Sequence, residues 1–311
     1  MSHCCVIGGN GFLGSFVVPL LEKTGRTVSV LGLELIPPIY SNKNIRYLSG
    51  DYNDKELLLK ALSGVDEIIH LAYATVPKTS FDNPVHDILR NLPATVSLLE
   101  IASVLPIKKI IIVSSGGTVY GRTEKIPITE DRPTNPISPY GITKLAIEKY
   151  CLMYHEQKSL PIICVRPGNA YGEGQRPFVG QGFIATVIAS ILRQKEINIF
   201  GATGTVRDYI HAQDVASGII AALELGKAGS IYNIGTGIGR NNIDVLDEII
   251  PFAEASGYVV KIKKMPLRTF DVPVNVLDSS KLINETDWSI QVSFNDGIKR
   301  TWEWFLHSTI V

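Results

Sequence analysis

Short, nearly unbroken apolar runs rich in β-branched residues alternate with amphipathic stretches through the first half of this 311-residue chain. That alternation leaves few folds open. Residues 5–7, 27–31, 67–71, 109–113 and 162–165 read as strands. Residues 12–23, 55–62, 94–104 and 139–155 read as the helices between them. Strands apolar on both faces are buried on both faces, which implies a parallel sheet covered by helices on each side. The pattern predicts a doubly wound α/β fold.

After Arg166 the rhythm changes. Gly and Pro cluster over residues 167–182, a helix is expected at 183–193, and short strands and turns follow. The chain is therefore divided at 1–166, the large α/β unit, and 167–311, a smaller α/β lobe. The division is interleaved, because 215–224 and 230–234 have the pattern of elements that return to the first sheet. No internal repeat or low-complexity tract interrupts either part.

With 45% apolar and 19% charged residues, the chain has material for a sizeable core. Lys+Arg and Asp+Glu balance at 30 each, so no basic excess is available to neutralise a nucleic-acid backbone. The longest apolar runs, such as Ile110-Ile111-Ile112-Val113, are too short for a bilayer, and no membrane partner is expected. The opening residues carry no charged leader or apolar signal core. Cys4, Cys5, Cys151 and Cys164 sit in apolar segments without metal-ligand spacing. They read as buried thiols in a reducing compartment, with neither disulfide nor metal site. A cytoplasmic protein is expected.

The segment Gly8-Gly9-Asn10-Gly11-Phe12-Leu13-Gly14 follows the first strand and opens a helix. Gly8, Gly11 and Gly14 lie three apart. Glycines there permit a tight turn and let backbone amides approach a pyrophosphate at the helix N-terminus. Such a dinucleotide site usually carries an acid at the end of the second strand, for the adenosine ribose. Here that place holds Gly32, and Glu34 comes two residues later. Glu34 either reaches the ribose or is a solvated loop carboxylate. No Arg or Lys directly follows the strand to meet a 2′-phosphate, so NAD is expected over NADP.

Tyr140 and Lys144 lie at i and i+4 near the start of an expected helix, and so project from one face. An ammonium near a phenol favours the phenolate, which lets the Tyr exchange protons near neutral pH. The pair lies shortly after Ser114-Ser115-Gly116-Gly117-Thr118-Val119-Tyr120-Gly121, which closes another strand.

With these residues in place the chain resembles the extended short-chain dehydrogenase/reductases, built on a Rossmann sheet. Within them it most resembles the UDP-galactose 4-epimerase-like nucleotide-sugar epimerases. The resemblance runs over essentially the whole chain. Gly8, Gly11, Phe12, Leu13 and Gly14 match the family's G-x-x-G-x-x-G loop, and Gly50-Asp51, followed by Tyr52, its adenine-side Asp. His70-Leu71-Ala72 matches its cofactor-lining H-L-A, with Tyr73 where Ala or Gly is frequent, and Asn91 falls where the family places Asn. Tyr140 and Lys144 match its catalytic pair. In the second lobe, Arg166-Pro167-Gly168-Asn169-Ala170-Tyr171-Gly172 is similar to R-P-x-N-x-Y-G, whose Asn contacts the sugar diphosphate. Arg207-Asp208-Tyr209-Ile210-His211 is similar to R-D-Y-I-H, whose Arg clamps a diphosphate, and Asn233-Ile234-Gly235-Thr236-Gly237 repeats N-I-G-T-G. Arg268 and Asp271 resemble the R-x-G-D that binds the nucleotide end, with Phe270 in place of Gly. Guanidinium forks suit a diphosphate, since each binds two oxygens at once.

Three departures and positions refine what the resemblance implies. The family's Ser or Thr, four residues before the Tyr of V-Y-G, is here Gly116, so Ser115 or Thr118 must supply the hydroxyl, and Ser115 is taken as the catalytic candidate. Thr118 also stands where sugar dehydratases and decarboxylases carry an acid, which argues against those reactions. Asn275, four after Asp271, corresponds to a residue bordering the sugar's 2-position, and its small amide implies that an N-acetylhexosamine fits. The resemblance thus implies NAD-dependent 4-epimerisation of a UDP-hexose or UDP-N-acetylhexosamine through a 4-keto sugar, in a homodimer. Two alternatives stand beside it: a nucleotide-sugar reductase or dehydrogenase using NAD(P)H, and a non-catalytic dinucleotide sensor.

Overall fold

The computed structural model describes residues 2–33, 45–266 and 272–308. Its first half runs β1 (His3–Ile7), α1 (Gly14–Lys23), β2 (Thr27–Gly32), β3 (Ile45–Ser49), α2 (Lys55–Leu62), β4 (Glu67–His70), α3 (Pro77–Asp82), α4 (Pro84–Ala102) and β5 (Lys109–Val113). Next come α5 (Gly116–Val119), α6 (Pro139–Lys158), β6 (Ile162–Pro167), β7 (Asn169–Tyr171), α7 (Phe183–Leu192), β8 (Ile197–Phe200) and β9 (Val206–His211). The chain closes with α8 (Ala212–Leu225), β10 (Ile231–Ile234), β11 (Gly239–Arg240), α9 (Asn242–Ala255), β12 (Ile262–Met265), β13 (Val274–Asn275), α10 (Ser280–Thr286) and α11 (Phe294–His307).

Seven parallel strands form the main sheet in the order β10-β6-β5-β4-β1-β2-β3. Successive β1 residues enter opposite layers: Cys4 and Val6 pack with α1 and α8, Cys5 and Ile7 with α2, α4 and α6. This is the two-sided burial that the apolar runs imply. The strand order reverses between β1 and β4, and their carboxyl ends open a crevice there, where sheets of this kind bind ligands. Both α8 and β10 belong to this unit, although they come after the chain has left it.

The remaining elements make a second core from α7, α9, α11, β8 and Tyr209 of β9. A small sheet joins the two units. In it β9 pairs with β11 antiparallel and with β7 and β13 in parallel.

Several elements differ from the sequence reading. Strand β3 and helices α3, α5, α9, α10 and α11 were not expected. Helix α4 starts at Pro84, ten residues before the expected start, and runs through Pro93. An internal proline normally ends or kinks a helix. Here Pro84 at the first turn and the Asn83 cap on the His86 amide set the start instead.

Beneath the crevice lies a buried ion pair. Arg166 of β6 donates from Nε and Nη2 to the two Glu148 oxygens of α6, at 2.9 and 2.6 Å, with side chains only 3% and 1% exposed. Its Nη1 reaches the Tyr120 hydroxyl at 2.8 Å, and that hydroxyl donates to Asn233 at 2.7 Å. Glu148→Gln would leave the guanidinium buried without its counter-charge. The variant is expected to lose about 3–5 kcal/mol of stability, read as a lower urea midpoint at unchanged slope; an unaltered midpoint would exclude the pair as a structural element.

Candidate active site

The glycine loop closes against the end of β4. Gly8 has φ +85°, and a Cβ there would meet the Ala72 amide nitrogen at 2.6 Å. Leu71 and Ala72 both donate their amides to the Ile7 carbonyl, at 2.8 and 3.0 Å, which holds this approach. At Gly14 a Cβ would lie 2.2 Å from the Gly9 carbonyl, so α1 starts directly on the loop. The N-cap residue Leu13 contributes no side-chain cap to α1. The positive end of the α1 dipole therefore suits an anion.

Gly32 lies beside this loop. The carboxamide of Asn10 is packed there, with Nδ2 only 2.8 Å from where a Cβ would be. Asn10 thus fills the place an acidic side chain usually occupies, a substitution that only the folded loop reveals. Glu34 lies outside the described residues, as do Arg268, Phe270 and Asp271.

Asp51 follows β3, half-buried, and pairs with Arg90 of α4. Burial works against its charge, but two hydrogen bonds from Asn53 and the Arg90 guanidinium hold its carboxyl below the usual range. The Tyr52 side chain turns into the core instead, against the His70 ring at 5.1 Å. Asn91 is also fully buried. Its Oδ1 accepts from the Ala74 amide at 2.7 Å and its Nδ2 donates to the Asp87 carbonyl at 2.7 Å. In this geometry Asn91 braces the loop after β4 and presents no free group to the crevice. His70, 2% exposed, is held neutral by burial and by the nearby Lys144, which push its pKa down to about 3.

The Tyr–Lys helix starts where the sequence places it. Ser138 caps α6 by accepting from the Gly141 amide, and Pro139 takes the first turn. The Tyr140 amide donates to Ser80 of α3 at 3.1 Å. Ser80 was not anticipated, because α3 is too short to carry a legible period. Ser115 and Tyr140 lie near one another, close enough for the Ser115 hydroxyl to draw the phenol's pKa downward against burial. Gly116 has no room for a side chain, since a Cβ would meet Leu277 at 2.5 Å and the Arg166 carbonyl at 2.9 Å. The Thr118 hydroxyl is buried without a hydrogen-bond partner among the described residues. Of the two hydroxyls, Ser115 is the one in place.

Tyr73 covers the pair. Its ring lies edge-on to Tyr140, with centroids 4.8 Å apart, and Lys144 Nζ stands 4.0 Å from its centroid. Lys144 donates to the Val113 carbonyl at 2.8 Å and stands 5.7 Å from the Tyr140 centroid. Burial pushes the Lys144 pKa down to about 7, against the pull of Glu148 and Asp87. Burial and Asp87 push Tyr140 up, while Ser115 draws it the other way. Both groups are therefore poised toward neutrality in a dry site, where a change of charge nearby has a large effect.

Asn169 faces the same loop. Its Oδ1 is 3.3 Å from where a Gly117 Cβ would be, and Ser115 Oγ is 3.9 Å from the same point. Arg207 is half-buried on β9 and donates to the Val206 carbonyl at 2.8 Å. Asn275, 1% exposed, donates from Nδ2 to the Gly116 carbonyl at 3.0 Å. Its Oδ1 has no hydrogen-bond partner among the described residues. Asn275 thus forms part of the floor under the Ser115 loop. Among the described residues there is no cluster of metal-ligating side chains, and no helix is long and apolar enough to cross a membrane.

The chain is similar to known proteins over nearly its whole length. A family model described as the NAD dependent epimerase/dehydratase family matches residues 4–235. A UDP-glucose 4-epimerase of Mycolicibacterium smegmatis is 32% identical over 312 residues, covering 96% of this chain and 97% of its own. The UDP-glucose 4-epimerase of Thermotoga maritima, solved with UDP-glucose, has a TM-score of 0.90 at 32% identity over 98% of both chains. That of Thermus thermophilus, solved in complex with NAD, has a TM-score of 0.90 at 31% identity, covering 99% of this chain and all of its own. The matched span takes in the glycine loop, the Ser115 segment and the Tyr140–Lys144 helix, and the chain belongs to the NAD dependent epimerase/dehydratase family, as an enzyme of the extended short-chain dehydrogenase/reductase type.

Proposed function

We propose that the protein is an NAD-dependent UDP-sugar 4-epimerase, acting on a UDP-hexose or UDP-N-acetylhexosamine through a 4-keto intermediate. The observation that carries this reading is the meeting of Tyr140, Ser115 and Lys144 at the mouth of a glycine-lined crevice, with Asn169 facing the same loop. Relatives named UDP-glucose 4-epimerase support it.

The residues present fit the cofactor. The cradle at Gly8 and the start of α1 suit a pyrophosphate, so Gly8, Gly11, Phe12, Leu13 and Gly14 would hold it. Asp51 would border the adenosine, and Leu71, Ala72 and Tyr73 would form the wall toward the nicotinamide, with Tyr52 and Asn91 bracing them from the core. Bound NAD supplies a reversible hydride acceptor, chemistry that no side chain offers. Tyr140 takes the proton of the C4 hydroxyl and later returns it. Ser115 holds the same sugar oxygen, and its hydroxyl beside Tyr140 favours the phenolate. Lys144 orients the cofactor ribose and, when protonated, sets a positive charge near the phenol. Asn169 and Arg207, with Arg268 and Asp271, bind the UDP portion and set the sugar over Tyr140.

Net reduction or oxidation of a nucleotide sugar is the second reading. Gly32 favours it, since without an acid the site does not reject a 2′-phosphate. A homodimer is also proposed. Val85, Ile88 and Leu89 on α4 and Ile142, Tyr150 and Met153 on α6 are exposed apolar residues on two helices packed side by side.

Four outcomes follow. Tyr140→Phe should abolish turnover of UDP-glucose, followed by NMR without added cofactor, while NAD affinity stays near wild type. In the same assay Ser115→Ala should slow turnover more than Thr118→Ala. Near-wild-type rates in Tyr140→Phe would defeat the mechanism, and NAD(P)H consumption would favour the reductase. Asn275→Tyr should reduce turnover of UDP-N-acetylglucosamine more than of UDP-glucose, with NAD binding as the check on folding; an equal effect on both sugars would remove Asn275 from specificity. Finally, light scattering should give twice the chain mass for the wild type and the single mass for Leu89→Glu. An unaltered dimer in that variant would move the interface elsewhere.

A further inference from the structure

The register of the small sheet sets a second arginine beside Arg207. Arg240 of β11 is the direct antiparallel partner of Arg207, and Asn275 of β13 is its partner on the other edge. Asn169 pairs with Tyr209, two residues along β9 from Arg207. In-register and alternate residues point to one face of a sheet. Asn169, Asn275, Arg207 and Arg240 therefore share a face, and that face abuts the Ser115 loop through Asn169 and Asn275.

Like charges directly opposite one another on paired strands are unfavourable. Among the described residues Arg240 has no carboxylate partner and no side-chain hydrogen bond. Its half-buried guanidinium instead lies over the Phe294 ring, 4.1 Å from the centroid. Stacking secures the plane of the fork and leaves its N–H edge available for acceptors. The backbone beneath is closely held. The buried Asp208 carboxylate accepts from the amides of Thr236, Gly237 and Leu277 and from the Thr236 hydroxyl, which ties β9 to the segments leading to β11 and from β13. At Gly239, the partner of Asp208, a Cβ would meet Val206 at 2.7 Å and Val276 at 2.8 Å, so β11 packs tightly in place. Two arginines in register on one sheet face that leads to the Ser115 loop make a site for a dianion.

We propose that Arg240 binds the diphosphate of the nucleotide-linked substrate together with Arg207. This rests on the UDP-sugar reading above. The row Asn275, Arg207, Arg240 runs away from the Gly116 carbonyl at a strand spacing of about 4.8 Å. Arg240 therefore stands at the end of the diphosphate farther from Tyr140, and Phe294 is the platform that presents it.

Calorimetric titration of the full-length protein with UDP, and separately with NAD, tests this. Arg240→Ala should weaken UDP binding roughly ten- to a hundredfold and leave NAD binding at its wild-type value. Phe294→Leu should weaken UDP binding by a smaller factor. Wild-type UDP affinity in Arg240→Ala, with a loss in Arg207→Ala, would overturn the assignment of Arg240 and leave the UDP-sugar reading standing. A wild-type protein that does not bind UDP would overturn both. If Arg240→Ala loses NAD as well, Arg240→Gln, which keeps the stem against Phe294, decides: unchanged UDP affinity overturns the proposal, and a selective loss of UDP supports it.

Discussion

The buried pair of Glu148 and Arg166 is the contact on which the site's geometry rests. Two charges removed from water are costly, and they are tolerated only when both are fully hydrogen-bonded. Here Arg166 spends its donors on both oxygens of Glu148 and on Tyr120. Glu148 lies one helical turn after Lys144, so the pair fixes the depth and rotation of α6 against β6. Tyr120 carries the connection to the segment that begins at Ser115, and its hydroxyl passes it to Asn233 on β10. The three parts that must meet, namely Tyr140, Lys144 and Ser115, are each attached to this one network.

A second hub organises the substrate side. Asp208 is fully buried, and burial raises its carboxyl pKa although four hydrogen bonds oppose the rise. An acceptor with so many donors is better understood as a clasp than as a reacting group. Asn233 behaves alike, receiving nothing from solvent and bonding to the Ile128 and Asp278 carbonyls. Within the motifs R-P-G-N-A-Y-G, R-D-Y-I-H and N-I-G-T-G, the residues therefore divide by strand alternation. Arg166, Asp208 and Asn233 hold segments together, and Asn169 faces the Ser115 loop with Arg207 on the same sheet face, the pair proposed to meet the substrate.

The Tyr140–Lys144 pair, the proposed catalytic pair, sits in surroundings that disfavour charge. Tyr140 is raised and Lys144 lowered chiefly by burial, and the carboxylate of Asp87 lies close enough to act on both. Such a site keeps the phenol protonated and the amine near its titration point until ligands change the local field. Burial thus makes the site responsive, because an added charge is poorly screened there.

Much of this was legible in residue order alone. The two-sided apolar runs determined the parallel sheet, the glycine spacing the loop, and the i, i+4 spacing the pairing of Tyr140 with Lys144, because each is a local periodicity. Local signals also misled. Pro93 suggested a later start for α4, yet capping by Asn83 and packing on α6 outweigh one lost hydrogen bond. Only the tertiary structure decided that Ser115 lies near Tyr140, that Asn10 packs beside Gly32, that Tyr52 and Asn91 turn inward, and that Arg240 stands in register with Arg207. Each of these depends on register or approach between segments distant in the chain. Such relations are set by packing of whole elements, and nothing in the spacing of neighbouring residues encodes them.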